Sequence, residues 1–470
     1  MSNDKYSQQV ANPPIRWSVF IQLALSVLAA FLLFGAAVVI ILVNAIQYFA
    51  PGNVNPGFTQ ATMIATSLAF AGILMLPSAW YSWKSINRPE PEPVQKTERR
   101  GYGLILTIVV ALLVPGALVL GNWISQNSTL AWLFLPLLNI IATGLPALWL
   151  VYIGIRGLSL GSPKRYWGVF ASGLVLSPLI ILILELIMLA GVGILAILWV
   201  VVDPSLSSQL NILVLRLQSS YNNPEAVLRI LLPLLVNPGI LFILFSFVSV
   251  LVPMVEESLK PLGVWFLTGQ KLTPTHGFVY GVLSGAGFGL FENLGKTSGG
   301  GEAWAILAST LIITLLLHCF TAGLVGWALV SAWSQKRYIR LGISYILAVL
   351  VHGLWNGMAV VGAAASFTDF TNISLPTGIQ QLGSLSNTGI VVLGTLILVL
   401  YIGSNATLRR GQLTNDLLPD QKGASTDYSD TPAQASQASQ PAQVAGESEQ
   451  TPEGGPQDQP QGKITHELHR

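Results

Sequence analysis

The sequence predicts an all-α polytopic membrane protein with about ten transmembrane helices, and three observations carry this prediction. Of the 470 residues, 52% are hydrophobic and only 9% are charged, whereas soluble domains carry about 25% charged residues. Long apolar runs recur along the chain, and each is long enough to cross a hydrocarbon layer of about 30 Å. The first run, from Trp17 to about Ala50, far exceeds the roughly 7–15 apolar residues of a cleavable signal, so it predicts a retained anchor.

Ten apolar segments are predicted to span the bilayer. They fall near residues 17–49, 59–83, 102–126, 129–155, 166–201, 238–268, 277–295, 303–333, 341–364 and 388–405. The fifth and sixth are longer than a bilayer requires, and Pro178 and Pro253 are their predicted kink sites because proline removes a helix hydrogen bond. The single cysteine, Cys319, excludes an intrachain disulfide and is interpreted as a small core residue.

Lysine and arginine are segregated to one end of the predicted spans. The basic loops are 84–101, 156–165 and 334–340. The opposite loops, 50–58 and 365–387, contain a single charged residue, Asp369. Because cytoplasmic loops carry an excess of basic residues, this pattern predicts a multi-pass plasma-membrane protein with both termini in the cytoplasm.

The spans divide the chain into six segments. These are a cytoplasmic N-terminus at 1–16, a five-helix membrane region at 17–201, an outer segment at 202–237, a four-helix core at 238–364, an outer loop and last helix at 365–405, and a tail at 406–470. The outer segment predicts one or two interfacial helices or a packed cap. The tail is rich in Gln, Ser, Ala, Pro and Gly and is predicted to be disordered, as a tether or regulatory region.

Polar and ionisable residues concentrate in the sixth to ninth spans. They are Glu256, Glu257, Lys260, Glu292, His318, His352 and Asn356. Each charge at bilayer depth costs roughly 2.5–3.5 kcal/mol, so the grouping predicts a water-filled site rather than scattered structural contacts. Lys260 lies four residues after Glu256, on the same helix face, and is expected to keep that carboxylate ionised. Glu185, isolated in the fifth span, is interpreted as structural or pathway-lining.

The chemistry of these residue types leaves three functions open. A carboxylate in a dry site can act as a base, and a histidine and an asparagine on one helix face can donate to an oxyanion, which favours hydrolysis. The same groups can bind an ion, which favours a proton- or cation-coupled transporter. The third function is a non-catalytic membrane scaffold that binds a partner.

Four motifs follow one another along the sixth to ninth predicted spans: E-E-x-x-K at 256–260, F-x-x-x-E at 288–292, a lone histidine at 318 and H-x-x-x-N at 352–356. Their order resembles that of the PrsW-type glutamic intramembrane proteases, which are related to the prenyl-protein (CAAX) endopeptidases and to bacteriocin-related membrane proteins. The resemblance covers about 238–364. It implies hydrolysis of peptide bonds in membrane-anchored protein substrates, with anti-sigma-factor-like regulators as candidates. The implied partners are this substrate and the lipid bilayer, and no nucleic acid is expected.

The resemblance also implies a role for each matching residue. The roles are general base for Glu256, paired acid for Glu257, a third carboxylate for Glu292, water or oxyanion positioning for His318, oxyanion binding for His352 and Asn356, and support for Lys260 and Phe288. No H-E-x-x-H motif is present, so a metal-free site is favoured; if zinc is bound, the expected ligands are His318, His352 and Glu292. Simple counting places Glu292 nearer the outer end of its span than Glu256, so their meeting requires helix tilt or a broken helix.

Overall fold

A computed structural model describes most of the apolar part of the chain. The described residues are 17–48, 57–86, 101–126, 128–202, 204–223, 226–227, 229–231, 238–299, 301–371 and 377–417. Their structure is helical, and no strand occurs among them. The helices are α1 (Trp17–Tyr48), α2 (Phe58–Ile86), α3 (Tyr102–Ser125), α4 (Ser128–Ile155), α5 (Pro163–Ala171), α6 (Ser177–Val202), α7 (Pro204–Ser220), α8 (Pro238–Ser246), α9 (Val252–Leu259), α10 (Leu262–Trp265), α11 (Pro274–Ser298), α12 (Trp304–Gln335), α13 (Tyr338–Thr371) and α14 (Thr377–Leu417).

Nine helices among the described residues are long and apolar enough to cross a membrane, which confirms the all-α membrane class. The seventh predicted span corresponds to α11, which is long enough but less apolar than those nine. Neighbouring helices bury α11 along most of its length. A helix enclosed by other helices does not need a lipid-compatible surface, so its glycines and polar residues are tolerated there.

Helix continues beyond the predicted ends of the ninth and tenth spans. Residues 365–371 belong to α13 and residues 377–387 belong to α14, so the described part of the predicted outer loop is helical. The tail predicted from residue 406 is helical as far as Leu417, and its remainder lies outside the described residues. Small side chains let α13 and α14 pack here: a Cβ added at Gly383 would lie 2.0 Å from the Cβ of Ala365.

Both predicted kink prolines follow a π-helical turn. The turn Ser172–Leu176 precedes Pro178, and the turn Phe247–Leu251 precedes Pro253, each by two residues. The ring of a proline clashes with the carbonyl four residues earlier, and a wider turn relieves that clash. In the predicted outer segment 202–237, one helix, α7, is described.

Helix α11 lies at the centre of the main hydrophobic core and packs most extensively against α12. Glycines permit this close approach: a Cβ added at Gly285 would lie only 2.2 Å from the backbone oxygen of His318. Cys319 is fully buried in the same core, as predicted. The tight contact between α11 and α12 brings the polar residues of these two helices into register.

Candidate active site

The structure brings together side chains from the four spans that the sequence singled out. Helix α9 and the residue after it contribute Glu256, Glu257 and Lys260, and α11 contributes Glu292. Helices α12 and α13 contribute His318 and His352, whose ring centroids lie 5.4 Å apart. The predicted difference in depth between Glu292 and Glu256 does not separate them, since His318 contacts Glu292 and lies beside His352.

Lys260 connects the two adjacent carboxylates. Its side chain is completely buried, and its Nζ lies 2.9 Å from Glu256 Oε2 and 2.7 Å from Glu257 Oε1. The ammonium group also stands over the ring of Phe288, 4.9 Å from the centroid, which is cation–π distance. Lys260 therefore balances the charge of the pair, as predicted for Glu256, and Phe288 closes one side of it.

His352 is oriented by Glu257. Its Nδ1 lies 2.8 Å from Glu257 Oε1. The same Nδ1 lies 3.2 Å from the Lys260 ammonium, which can only donate. Because the contact with the carboxylate is the shorter one and an ionised carboxylate can only accept, we assign Nδ1–H as the donor to Glu257, which leaves the lone pair on Nε2. That Nε2 atom lies 3.8 Å from Glu256 Oε2.

His318 is oriented by Glu292 in the same manner. Its Nε2 donates to Glu292 Oε2 over 2.6 Å, and the second oxygen of Glu292 accepts from Lys296. The His318 Nδ1 atom is buried and has no hydrogen-bond partner among the described residues. A Cβ at Gly289 would lie 2.9 Å from the His318 ring, so glycine leaves the space that the imidazole occupies.

Possible metal-ligand atoms of Glu256, His318 and His352 converge. Buried His318 Nδ1 has no hydrogen-bond partner among the described residues, and Glu256 Oε2 is paired with the ammonium of Lys260 at 2.9 Å. Ligand atoms of Glu256, His318 and His352 all lie within 4.8 Å of one another. Two histidines and one carboxylate form a common donor set of catalytic zinc sites, and each histidine here donates its other N–H to a carboxylate, as zinc-binding histidines usually do. The residues therefore fit a zinc ion.

This donor set differs from the zinc ligands expected from the sequence. Glu256 takes the place predicted for Glu292, because Glu292 is engaged by His318 and Lys296. The buried ammonium of Lys260, 2.9 Å from Glu256, is the one observation against a cation at this position. The expectation of a metal-free site stays a prediction.

Two further polar residues lie near the cluster. Asn356 Nδ2 donates to the backbone oxygen of Val248 over 3.1 Å, so one of its N–H groups is used within the protein. Its predicted role in oxyanion binding stays a prediction. Glu185, on α6, lies within electrostatic reach of Glu256 and Glu292, and its buried Oε1 has no hydrogen-bond partner among the described residues.

Three residues at the site were not identified as site residues from the sequence. Lys296 pairs with Glu292 at a spacing of four, the same spacing that identified Lys260, but the predicted seventh span ended one residue too early to include it. Ser284 donates to the backbone oxygen of Lys260, and Tyr345 donates to that of Met254. Single hydroxyl groups on apolar helices carry no periodic signal, so only the packing reveals these two.

Part of the chain matches a known protein family. Residues 161–378 match the family model described as "PrsW family intramembrane metalloprotease". The match begins before α5 and ends after α13, so it contains every residue of the cluster and also Glu185. No curated protein and no solved structure matches the chain significantly.

Proposed function

We propose that the chain hydrolyses peptide bonds of membrane-anchored proteins at the cluster around Glu256, because residues 161–378 match the model of the PrsW family of intramembrane metalloproteases. One observation carries this proposal. Two histidines from different helices are each held by a carboxylate, and each has a ring nitrogen within 4.8 Å of a carboxylate oxygen of the same buried glutamate. Structural histidines in a membrane bundle need no such convergence.

We propose that Glu256, His318 and His352 hold a zinc ion. Bound there, zinc would act as a Lewis acid on the scissile carbonyl. The surrounding residues prepare the donors: Glu257 and Glu292 select the tautomer of their histidine and fix the orientation of each ring.

Lys260 has a separate task in this arrangement. Its ammonium offsets the charge of Glu256 and Glu257, which are adjacent in the sequence and both buried. Without it, two adjacent carboxylates would be left buried with no compensating positive charge, which is strongly destabilising.

A metal-free mechanism is favoured by the same lysine. With Lys260 paired to Glu256, that carboxylate could take a proton from water as the oxygen attacks the peptide carbonyl, and return the proton to the leaving amine. This is the glutamic mechanism that the sequence predicts. Both mechanisms require Glu256, and they differ in their sensitivity to chelation.

The test of the proposed function is reconstitution of the purified protein in liposomes with membrane-anchored peptides. Mass spectrometry should detect two new fragments whose summed mass equals that of the peptide plus one water. Proton and cation flux across the same liposomes should equal that of protein-free liposomes. Ion flux without peptide products would favour the transporter function. If neither flux nor cleavage is detected, the non-catalytic scaffold is the function that remains.

A further inference from the structure

Helix α13 presents three polar side chains on one face to the interrupted sixth span. Tyr345, His352 and Asn356 are spaced by seven and four residues, which places them on one side of a helix. We infer that Tyr345 and Asn356 are positioning residues that hold residues 247–254 and thereby set the location of Glu256 and Glu257. This inference rests on the proposed function of the carboxylate pair.

The turn before Pro253 leaves one carbonyl in need of a donor. In the π turn, the N–H of Val252 donates to the oxygen of Phe247, five residues earlier. Continuing the pattern would require residue 253 to donate to Val248, but Pro253 has no N–H. A buried carbonyl without a donor costs roughly 1–3 kcal/mol, so the turn requires a donor from elsewhere.

Asn356 supplies that donor. Its Nδ2 donates to the Val248 oxygen over 3.1 Å. The backbones can approach because residue 353 is glycine: a Cβ there would lie 2.1 Å from the oxygen of Ser249. The amide of Asn356 is therefore matched to the irregular turn, eight residues before Glu256, rather than to a bound substrate.

Tyr345 holds the other side of the proline. Its hydroxyl donates to the backbone oxygen of Met254 over 2.8 Å, two residues before Glu256, and it lies within electrostatic reach of Glu257. Between these two contacts, His352 bonds Glu257 directly. One helix thus fixes the interrupted segment before and after Pro253 and also contacts the carboxylate that the segment carries.

The experiment compares Tyr345→Phe and Asn356→Ala, singly and together, with a matched control. Tyr338→Phe is that control, because Tyr338 lies on the same helix with its side chain largely exposed and no hydrogen bond described for its hydroxyl. We expect Tyr345→Phe to lower kcat about tenfold with KM within about twofold, since small displacements of reacting groups cost up to about 10²-fold. The double variant should lose less than the product of the two single losses, because both act on one segment.

Amide hydrogen exchange gives a readout that does not depend on cleavage. Exchange of residues 247–257 should rise in Tyr345→Phe and Asn356→Ala and stay unchanged in Tyr338→Phe. The inference is overturned if exchange in residues 247–257 is the same in the variants as in wild-type protein. It is also overturned if Asn356→Ala lowers kcat by about 10²–10³-fold, as expected for an oxyanion donor, and the losses in kcat of the two single variants multiply in the double variant. If exchange rises in the two variants but the wild-type protein cleaves no peptide, the proposed function is wrong and the positioning role still holds.

Discussion

Comparison of Lys260 with Lys296 tests how burial changes the contribution of an ion pair to the stability of this protein. Each follows a glutamate by four residues and contacts it. The side chain of Lys260 is 0% exposed, whereas that of Lys296 is 50% exposed near the end of α11. Replacing either lysine with methionine removes the charge and keeps most of the volume.

The expected losses in unfolding free energy differ strongly. Two contacts at 2.7 and 2.9 Å each give about 6 kcal/mol of gross attraction at an effective dielectric constant of about 20. The cost of burying the charges offsets part of this, so removing one partner of a buried pair typically costs about 3–5 kcal/mol. Lys260→Met should therefore lose about 3–5 kcal/mol, and Lys296→Met about 0–1 kcal/mol, as for exposed pairs.

The assay is the free energy of unfolding of purified protein in detergent micelles, measured by denaturant titration. If Lys260→Met alone does not fold, Glu256→Gln in that background should restore part of the stability, because it removes one uncompensated carboxylate. Equal losses for Lys260→Met and Lys296→Met, or no recovery in the double variant, would refute the reasoning.

Three other predictions concern the metal, the histidine support and the topology. Purified protein should contain one zinc per chain, His352→Ala should lose it, and chelation should stop cleavage; zinc-free protein with chelator-resistant activity would establish the glutamic mechanism instead. Glu292→Gln should weaken zinc binding by about 10–100-fold in a competition titration, whereas Lys296→Met, which leaves the carboxylate bonded to its histidine, should change it by less than about threefold. Reporter fusions after Arg340 should read cytoplasmic and those within 203–237 should read outside, and a cytoplasmic signal from 203–237 would overturn the predicted orientation.

The helical class and the polar cluster could be predicted from the sequence for physical reasons. Lipid imposes a long apolar pattern on each span, and it makes every ionisable residue costly enough to stand out. The sequence alone therefore identifies Glu256, Glu257, Lys260 and the two histidines as one candidate site. The i,i+4 rule correctly placed Lys260 beside Glu256, and the ion pair has the predicted partners.

The remaining features depend on contacts between helices, which the sequence does not encode in a periodic form. The expected zinc set contained Glu292, because residue type alone could not show that His318 and Lys296 occupy its oxygens. Pro253 predicted a kink, but the donor that Asn356 provides to Val248 depends on how α13 packs. The helix between 377 and 387 was missed because its glycines, serines and asparagine disfavour a helix in isolation, and packing against α13 overrides that preference.

The most direct test of the account is cleavage of a membrane-anchored peptide by wild-type and Glu256→Gln protein in the same liposomes. Glutamine keeps the size of the side chain but neither accepts a proton readily nor binds zinc well, so the substitution should abolish cleavage by either proposed mechanism. Mass spectrometry should show paired hydrolysis products with wild-type protein and none with Glu256→Gln, at equal insertion and equal folded fraction. Products formed by Glu256→Gln at the wild-type rate would contradict the assignment of this cluster as the peptidase site.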